Sequence, residues 1–166
     1  MEIQVNPGLV RMLMSPVEPL FNVLVRLIAL RKLPRLHGVP IAIQGDDVEY
    51  SGRRLHEAID CIAQAAPYRV PQLARYIGCI LVTSQPARHG SYNHSRRLCV
   101  LDGRSLRLDP PSVTAMTIVG AVTRARLCRR GFEYRSDLTP RVLQLYEKTR
   151  QVFTQQLERR PHGSAA

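Results

Sequence analysis

The sequence predicts an α+β fold in a single domain, with a small β-sheet packed against helices and two long helices at its C-terminal end. Three observations predict it. The runs VPIAIQ, CILVTS and RLCVLD are short, apolar and rich in β-branched residues. Asp109-Pro110-Pro111 and Thr139-Pro140 each open a long helical pattern. A chain of 166 residues with 45% hydrophobic content fits one ordinary domain and can bury most of its apolar surface. The globular domain is placed at about 1–160, with 161–166 a flexible tail.

Taken in order, Pro16-Val17-Glu18-Pro19 opens a helical segment over about 16–34, because proline is tolerated in a first helical turn. Its run LFNVLVRLIALRKL, Leu20 to Leu33, is apolar nearly all round. As a core helix, its late Arg26, Arg31 and Lys32 would favour the C-terminal dipole. As a cationic helix it would lie on a membrane surface. Asn22 and Arg26 leave no clean polar face, which favours the core. Val39–Gln44 reads as a strand ending at Gly45-Asp46-Asp47, and Ser51–Ala66 as a helix with Leu55, Ala58, Ile59 and Ile62 at helical spacing. A short helix over Pro71–Tyr76 leads through Gly78 into the strand CILVTS. Pro86–Ser95 reads as a loop and Arg97–Asp102 as a strand. One long helix runs from Pro111 to Arg130, where Gly131 stops it. The last extends to about Arg159 with Val142, Tyr146, Val152, Phe153 and Leu157 on its apolar face.

Several function classes are excluded. No stretch approaches the roughly 18 apolar residues of a membrane span. The opening MEIQVNPG has no basic n-region, so a secretory signal is not expected and a cytoplasmic location is. Cys61, Cys79, Cys99 and Cys128 form no C-x-x-C pair, which excludes a zinc ribbon or thioredoxin-type site. All four sit in apolar context and are expected to be buried, although Arg129-Arg130 beside Cys128 could lower its thiol pKa. Phosphate loops and nucleophile elbows are absent. His89 and His94 flank GSYN at a spacing that matches no common metal-ligand pattern. Gln72–Gly78 has the opening of a helix-turn-helix, but Ile80–Thr83 is a strand where the recognition helix should stand.

One stretch carries more information: Ile118-Val119-Gly120-Ala121-Val122-Thr123-Arg124-Ala125-Arg126-Leu127, then Arg130-Gly131-Phe132-Glu133-Tyr134. It resembles a group of bacterial zincin-like metallopeptidases whose active helix reads approximately L-V-H-E-A-T-H-A-R-L before a glycine and tyrosine turn. Thr123, Ala125, Arg126, Leu127, Gly131 and Tyr134 fall on that pattern. The resemblance extends over about 55–158, taking in CILVTS, Gly90-Ser91-Tyr92, RLCVLD and Arg141-Val142-Leu143, with Phe153 and Leu157 beyond. Only 118–134 is locally specific. In H-E-x-x-H, two His one turn apart hold zinc and the Glu activates its water. The resemblance puts Gly120 and Arg124 at the His positions, Ala121 at the Glu position and Leu143 at the third-ligand position. Every group that would touch the metal is replaced, so bound zinc and peptidase activity are expected to be absent. Mid-helix Gly120 costs about 1 kcal/mol relative to Ala, which points to close packing or to an inherited position.

The expected function is therefore that of a catalytically inactive zincin-like binding module. Its vacated groove would take an acidic peptide or small anion through Arg124, with Thr117 and Arg126, and Arg129 if it reaches. Two alternatives stand beside it. One is a metal-dependent hydrolase with a displaced site at His89, His94 and Glu133. The other is a basic protein that binds nucleic acid or a membrane surface, since 24 basic residues against 13 acidic give a net charge of +11. Two of those basic residues, Lys32 and Lys148, are lysines and the rest arginines, a skew that genome composition can also produce. The charge alone predicts weak binding to DNA or anionic vesicles, most of which moderate salt removes, with the same slope for unrelated DNA sequences. Fluorescence anisotropy across a salt series checks this. Tight binding to one DNA sequence at high salt would contradict it.

Overall fold

Five strands and five helices follow one another through the residues described by the computed structural model, 33–44, 47–84, 91–131 and 140–159. They are β1 (Arg35–Leu36), β2 (Val39–Ile43), α1 (Val48–Ala65), α2 (Val70–Tyr76), β3 (Cys79–Thr83), β4 (Ser91–Asn93), β5 (Leu98–Asp102), α3 (Gly103–Leu108), α4 (Pro111–Arg129) and α5 (Pro140–Glu158), with a 3₁₀ turn at Pro67–Arg69. The sheet order is β1-β2-β3-β5-β4. The three central strands β2, β3 and β5 are parallel, in register Ile41↔Ile80↔Cys99, and the two edge strands are antiparallel. This is the α+β architecture that the sequence predicts. Most of the expected helical segment 16–34 lies outside the described residues, as does the 161–166 tail.

Parallel strands covered on both faces read as continuous apolar runs rather than alternating ones, and CILVT is buried at every position. One face sends Val39, Ile41, Ile43, Ile80, Val82 and Leu101 into the main core beneath the helices. There α1 contributes Leu55, Ala58, Ile59 and Ile62, the four residues whose spacing predicts that helix. The helix starts at Val48, three residues before the expected Ser51. Arg54 ties its outer side down, donating to Glu57 Oε2 and to the Asp109 carbonyl, both at 2.6 Å.

Three elements depart from the expected pattern. The supposed loop Pro86–Ser95 contains β4, which pairs Tyr92 with Cys99. A two-residue hairpin joins β1 to β2 with positive φ at His37 (48°) and Gly38 (82°), as a type I′ turn requires. Helix α3 follows β5 at once, because Asp102 caps it by accepting from the Arg104 backbone N–H at 3.0 Å. The β4–β5 turn is anchored through Arg97, whose guanidinium donates to the carbonyls of Arg75 (2.7 Å) and Tyr76 (3.3 Å) at the C-terminal end of α2. Cations are favourable there.

Helix α4 occupies the centre of the helical layer, between α1 and α5 and touching α2, α3 and β4. Phe153 of α5 is fully buried in the shared core. Phe153→Ala should cost about 3–5 kcal/mol by cavity formation. The neighbouring Val152→Ala, at a 39% exposed position, should change stability by about 0.5 kcal/mol or less. Urea titration of both variants measures the difference.

Candidate functional site

The Gly120 and Arg124 positions lie one turn apart on α4, and both meet the same side chain of α5. A Cβ on Gly120 would stand 2.6 Å from the Tyr146 hydroxyl oxygen and 3.1 Å from its ring. The Arg124 guanidinium stacks over that ring, 5.0 Å from its centre. Met116, Val119, Thr123, Thr149, Arg150 and Phe153 complete the cleft between the helices, which has room for about one water. The buried Thr123 hydroxyl donates to the Val119 carbonyl at 2.8 Å, and Thr149 donates to Leu145 at 2.9 Å. Both threonines thereby satisfy themselves on their own helix. Arg124 Nε is buried with no acceptor.

The other expected site residues are distributed differently. Ala121, which the resemblance puts at the Glu position, belongs to the main core at 6% exposure. Leu143 lies on α5 one turn before Tyr146 and is exposed. Thr117 lines a second, separate cleft with Asp102, Ser105, Asp109, Val113 and Thr114, and its hydroxyl donates to the Val113 carbonyl at 3.1 Å. Arg126 lies two residues on from Arg124, about 200° round the helix, and cannot share its groove. Its Nε is likewise buried without an acceptor. Arg129 stacks on Tyr76, away from the cleft. The expected trio Thr117, Arg124 and Arg126 is thus not one site.

Of the displaced metal set, His89 and Glu133 lie outside the described residues; His94 is exposed, 6.3 Å from the Tyr92 ring. Among the described residues no three His, Cys, Asp or Glu side chains converge to hold a metal. In the second cleft, Asp102 is occupied as a helix cap, accepting from Arg104 N and from the Ser105 hydroxyl at 3.3 Å.

The cysteines also correct the sequence reading. Cys79 and Cys99 are buried as expected, but Cys61 and Cys128 are only partly so. Burial pushes the Cys99 thiol up to about 12, with Cys79 adding to the rise. Cys128 is pushed up as well, by desolvation, while a backbone hydrogen bond and Arg124 oppose the shift. The neighbouring arginines therefore do not activate it. Burial likewise raises the Tyr92 hydroxyl, with Cys128 adding to the shift and Arg97 and Arg129 opposing it.

Tyr146 is the member of the site that helical spacing on α4 could not supply. It reads simply as an apolar-face residue of the last helix, and the one hint of it is the unusual glycine opposite. Comparison with known families, curated proteins and solved structures gives no match to this chain.

The packing predicts a change of sign. Gly120→Ala gains about 1 kcal/mol of helix propensity but must displace Tyr146, and overpacking typically costs about 1–3 kcal/mol. It should destabilise the protein. In a Tyr146→Ala background the same substitution should stabilise it by about 1 kcal/mol. A double-mutant cycle in urea measures both.

Proposed function

We propose that the chain is a zincin-like protein without peptidase activity that serves as a binding module for an acidic peptide or small anion. The observation that carries this reading is the pairing of Gly120 and Arg124 with Tyr146. An aromatic side chain fills the space in which two histidines would converge. A guanidinium stands where a metal ligand would, and it would repel a cation. The stacked Arg124 has no carboxylate partner among the described residues, and Arg150 lines the cleft beside Tyr146. Arg124 on the Tyr146 ring and Arg150 in the adjoining cleft each offer a guanidinium, the group that holds a carboxylate by charge-assisted hydrogen bonds. The cleft is too small to enclose a ligand, so the acidic group would sit at its mouth. No described helix is long and apolar enough to cross a membrane.

Isothermal titration with a glutamate-rich peptide tests the module. Arg124→Gln should weaken binding about ten- to a hundredfold, the worth of one charge-assisted hydrogen bond, and unchanged affinity would overturn the assignment to this cleft. Metal content tests the zincin-like origin. Protein purified without a His-tag should carry well under one zinc per chain. Restoring Gly120→His, Ala121→Glu, Arg124→His and Leu143→Glu should create zinc affinity only when Tyr146→Ala makes room. Failure in a folded five-substitution variant would count against the relationship.

A further inference from the structure

The carboxylates of this chain are unevenly placed, and the fold concentrates the imbalance. Residues 61–101 and 110–132 contain no Asp or Glu but nine arginines. The two stretches meet where the parallel strands β3 and β5 begin, around Tyr76 in the last turn of α2. Arg75, beside it, and Arg129, from the last turn of α4, each lie over the Tyr76 ring at 5.6 Å from its centre, which keeps them within twice that distance of each other. Arg97, in the turn before β5, donates to the Arg75 carbonyl at 2.7 Å and to the Tyr76 carbonyl at 3.3 Å. Burial and Cys128 raise the Tyr92 hydroxyl while Arg97 and Arg129 both oppose the rise, so these two guanidiniums stand near one phenol. Arg75 and Arg129 are exposed, and among the described residues no ion pair neutralises any of the three.

We propose that this arginine cluster is a nucleic-acid interface that grips the phosphate backbone without reading bases. Duplex DNA carries one charge per about 1.7 Å of its axis, so a patch of this width meets several phosphates. Guanidinium groups hold phosphate as a planar fork, and the Tyr76 ring steadies two of them while their exposed edges stay available. The ring that could stack on a base is engaged by arginine instead. Contacts of this kind position a duplex and carry no sequence information. At the other end of the strands stand Asp47, Asp102 and Asp109, so the molecule presents one basic end to a polyanion. None of the exposed large apolar side chains, such as Leu108, Leu145 and Val152, belongs to the last turn of α2, the β4–β5 turn or the last turn of α4. A lipid-inserting surface or the apolar centre of a protein interface needs such side chains. The cluster is also distinct from the cleft at Tyr146, which holds none of these arginines.

Fluorescence anisotropy of the full chain with a mixed-sequence DNA duplex, across a salt series, tests this. Arg75→Gln and Arg129→Gln should each lower the slope of log affinity against log salt by about one, and weaken two unrelated duplexes by the same factor. Arg53→Gln removes an arginine from the Tyr50 ring, in the first turns of α1, and should leave the slope unchanged. Equal losses in all three variants, or none at Arg75 and Arg129, overturn the proposal. Arg75→Lys keeps the charge and should keep the slope; a loss equal to that of Arg75→Gln assigns the effect to packing and overturns it. Combining Arg75→Gln with Arg129→Gln should leave binding of the glutamate-rich peptide unchanged. A parallel loss there marks a general acceptor of acidic groups and overturns the nucleic-acid assignment. Displacement of the duplex by phosphatidylglycerol vesicles at equal phosphate concentration makes a lipid surface the partner and likewise overturns it.

Discussion

Everything in the helical layer depends on how closely α4 can be approached. Ile118, Val119, Gly120, Ala121, Val122, Thr123 and Ala125 are all buried, so this helix has no solvated stripe along its middle. A helix surrounded in this way must be slim and must satisfy its own polar groups. Ala115, Gly120, Ala121 and Ala125 keep it slim, and Thr123 turns its hydroxyl onto its own backbone. Gly120 is the extreme case. It gives up about 1 kcal/mol of helix propensity so that the Tyr146 ring can rest against bare backbone. The ring then buries apolar area and receives the Arg124 guanidinium, a contact worth about 0.5–2 kcal/mol. The small residue and the large one across from it form one packing unit, and α5 is positioned by it together with Phe153.

The arginine excess takes on a structural meaning in this setting. Arg53, Arg69, Arg75, Arg124 and Arg129 each stack on an aromatic ring, and Arg69 reaches two, Tyr68 and Phe153. Ion pairs are few: among the described residues Arg54–Glu57 is the one formed by an arginine. A planar guanidinium on a ring loses solvent from one face while its edge N–H groups still point outward. Such arginines stabilise the packing and remain able to receive an anion. Lysine, a compact and strongly hydrated point charge, could not serve both ends equally.

Much of this was legible in the sequence, and the gaps have physical reasons. Strands β2, β3 and β5 announce themselves because burial on both faces demands unbroken apolar runs. Helices α4 and α5 do so through proline starts, and α4 through Gly131 beyond its end. Strand β4 does not stand out in the sequence, because an edge strand of Ser91-Tyr92-Asn93 needs one apolar anchor, Tyr92, and looks like a loop. The β1–β2 hairpin was missed because His37-Gly38 is a less common type I′ pair than Asn-Gly. Helix α3 forms where Asp102 caps it, a local bond that composition does not reveal. At the site, helical spacing rightly put Gly120 and Arg124 on one face. It could not show that Tyr146 meets them, because a contact across two helices leaves no mark on either periodicity. Nor could it show that Thr117 opens onto a different cleft, since two neighbours of α4 divide that stripe between them.

On the zincin-like reading, the same geometry has been turned to the opposite electrostatic sign. A catalytic zinc site collects neutral imidazoles and carboxylates around a cation and keeps one coordination position open. Of the positions that the resemblance compares with that site, Gly120 is bare backbone, Arg124 is a permanent cation and Ala121 is an alanine inside the core. These changes depend on one another. Bare backbone at Gly120 leaves room for the Tyr146 ring of α5, and the ring in turn gives the Arg124 guanidinium a surface to lie on. An arginine there without the ring would have to bury its stem beside a void, and a ring without the glycine would collide with a side chain. The Tyr146 ring takes up the space over Gly120, and the Arg124 guanidinium lies on that ring without a carboxylate partner among the described residues.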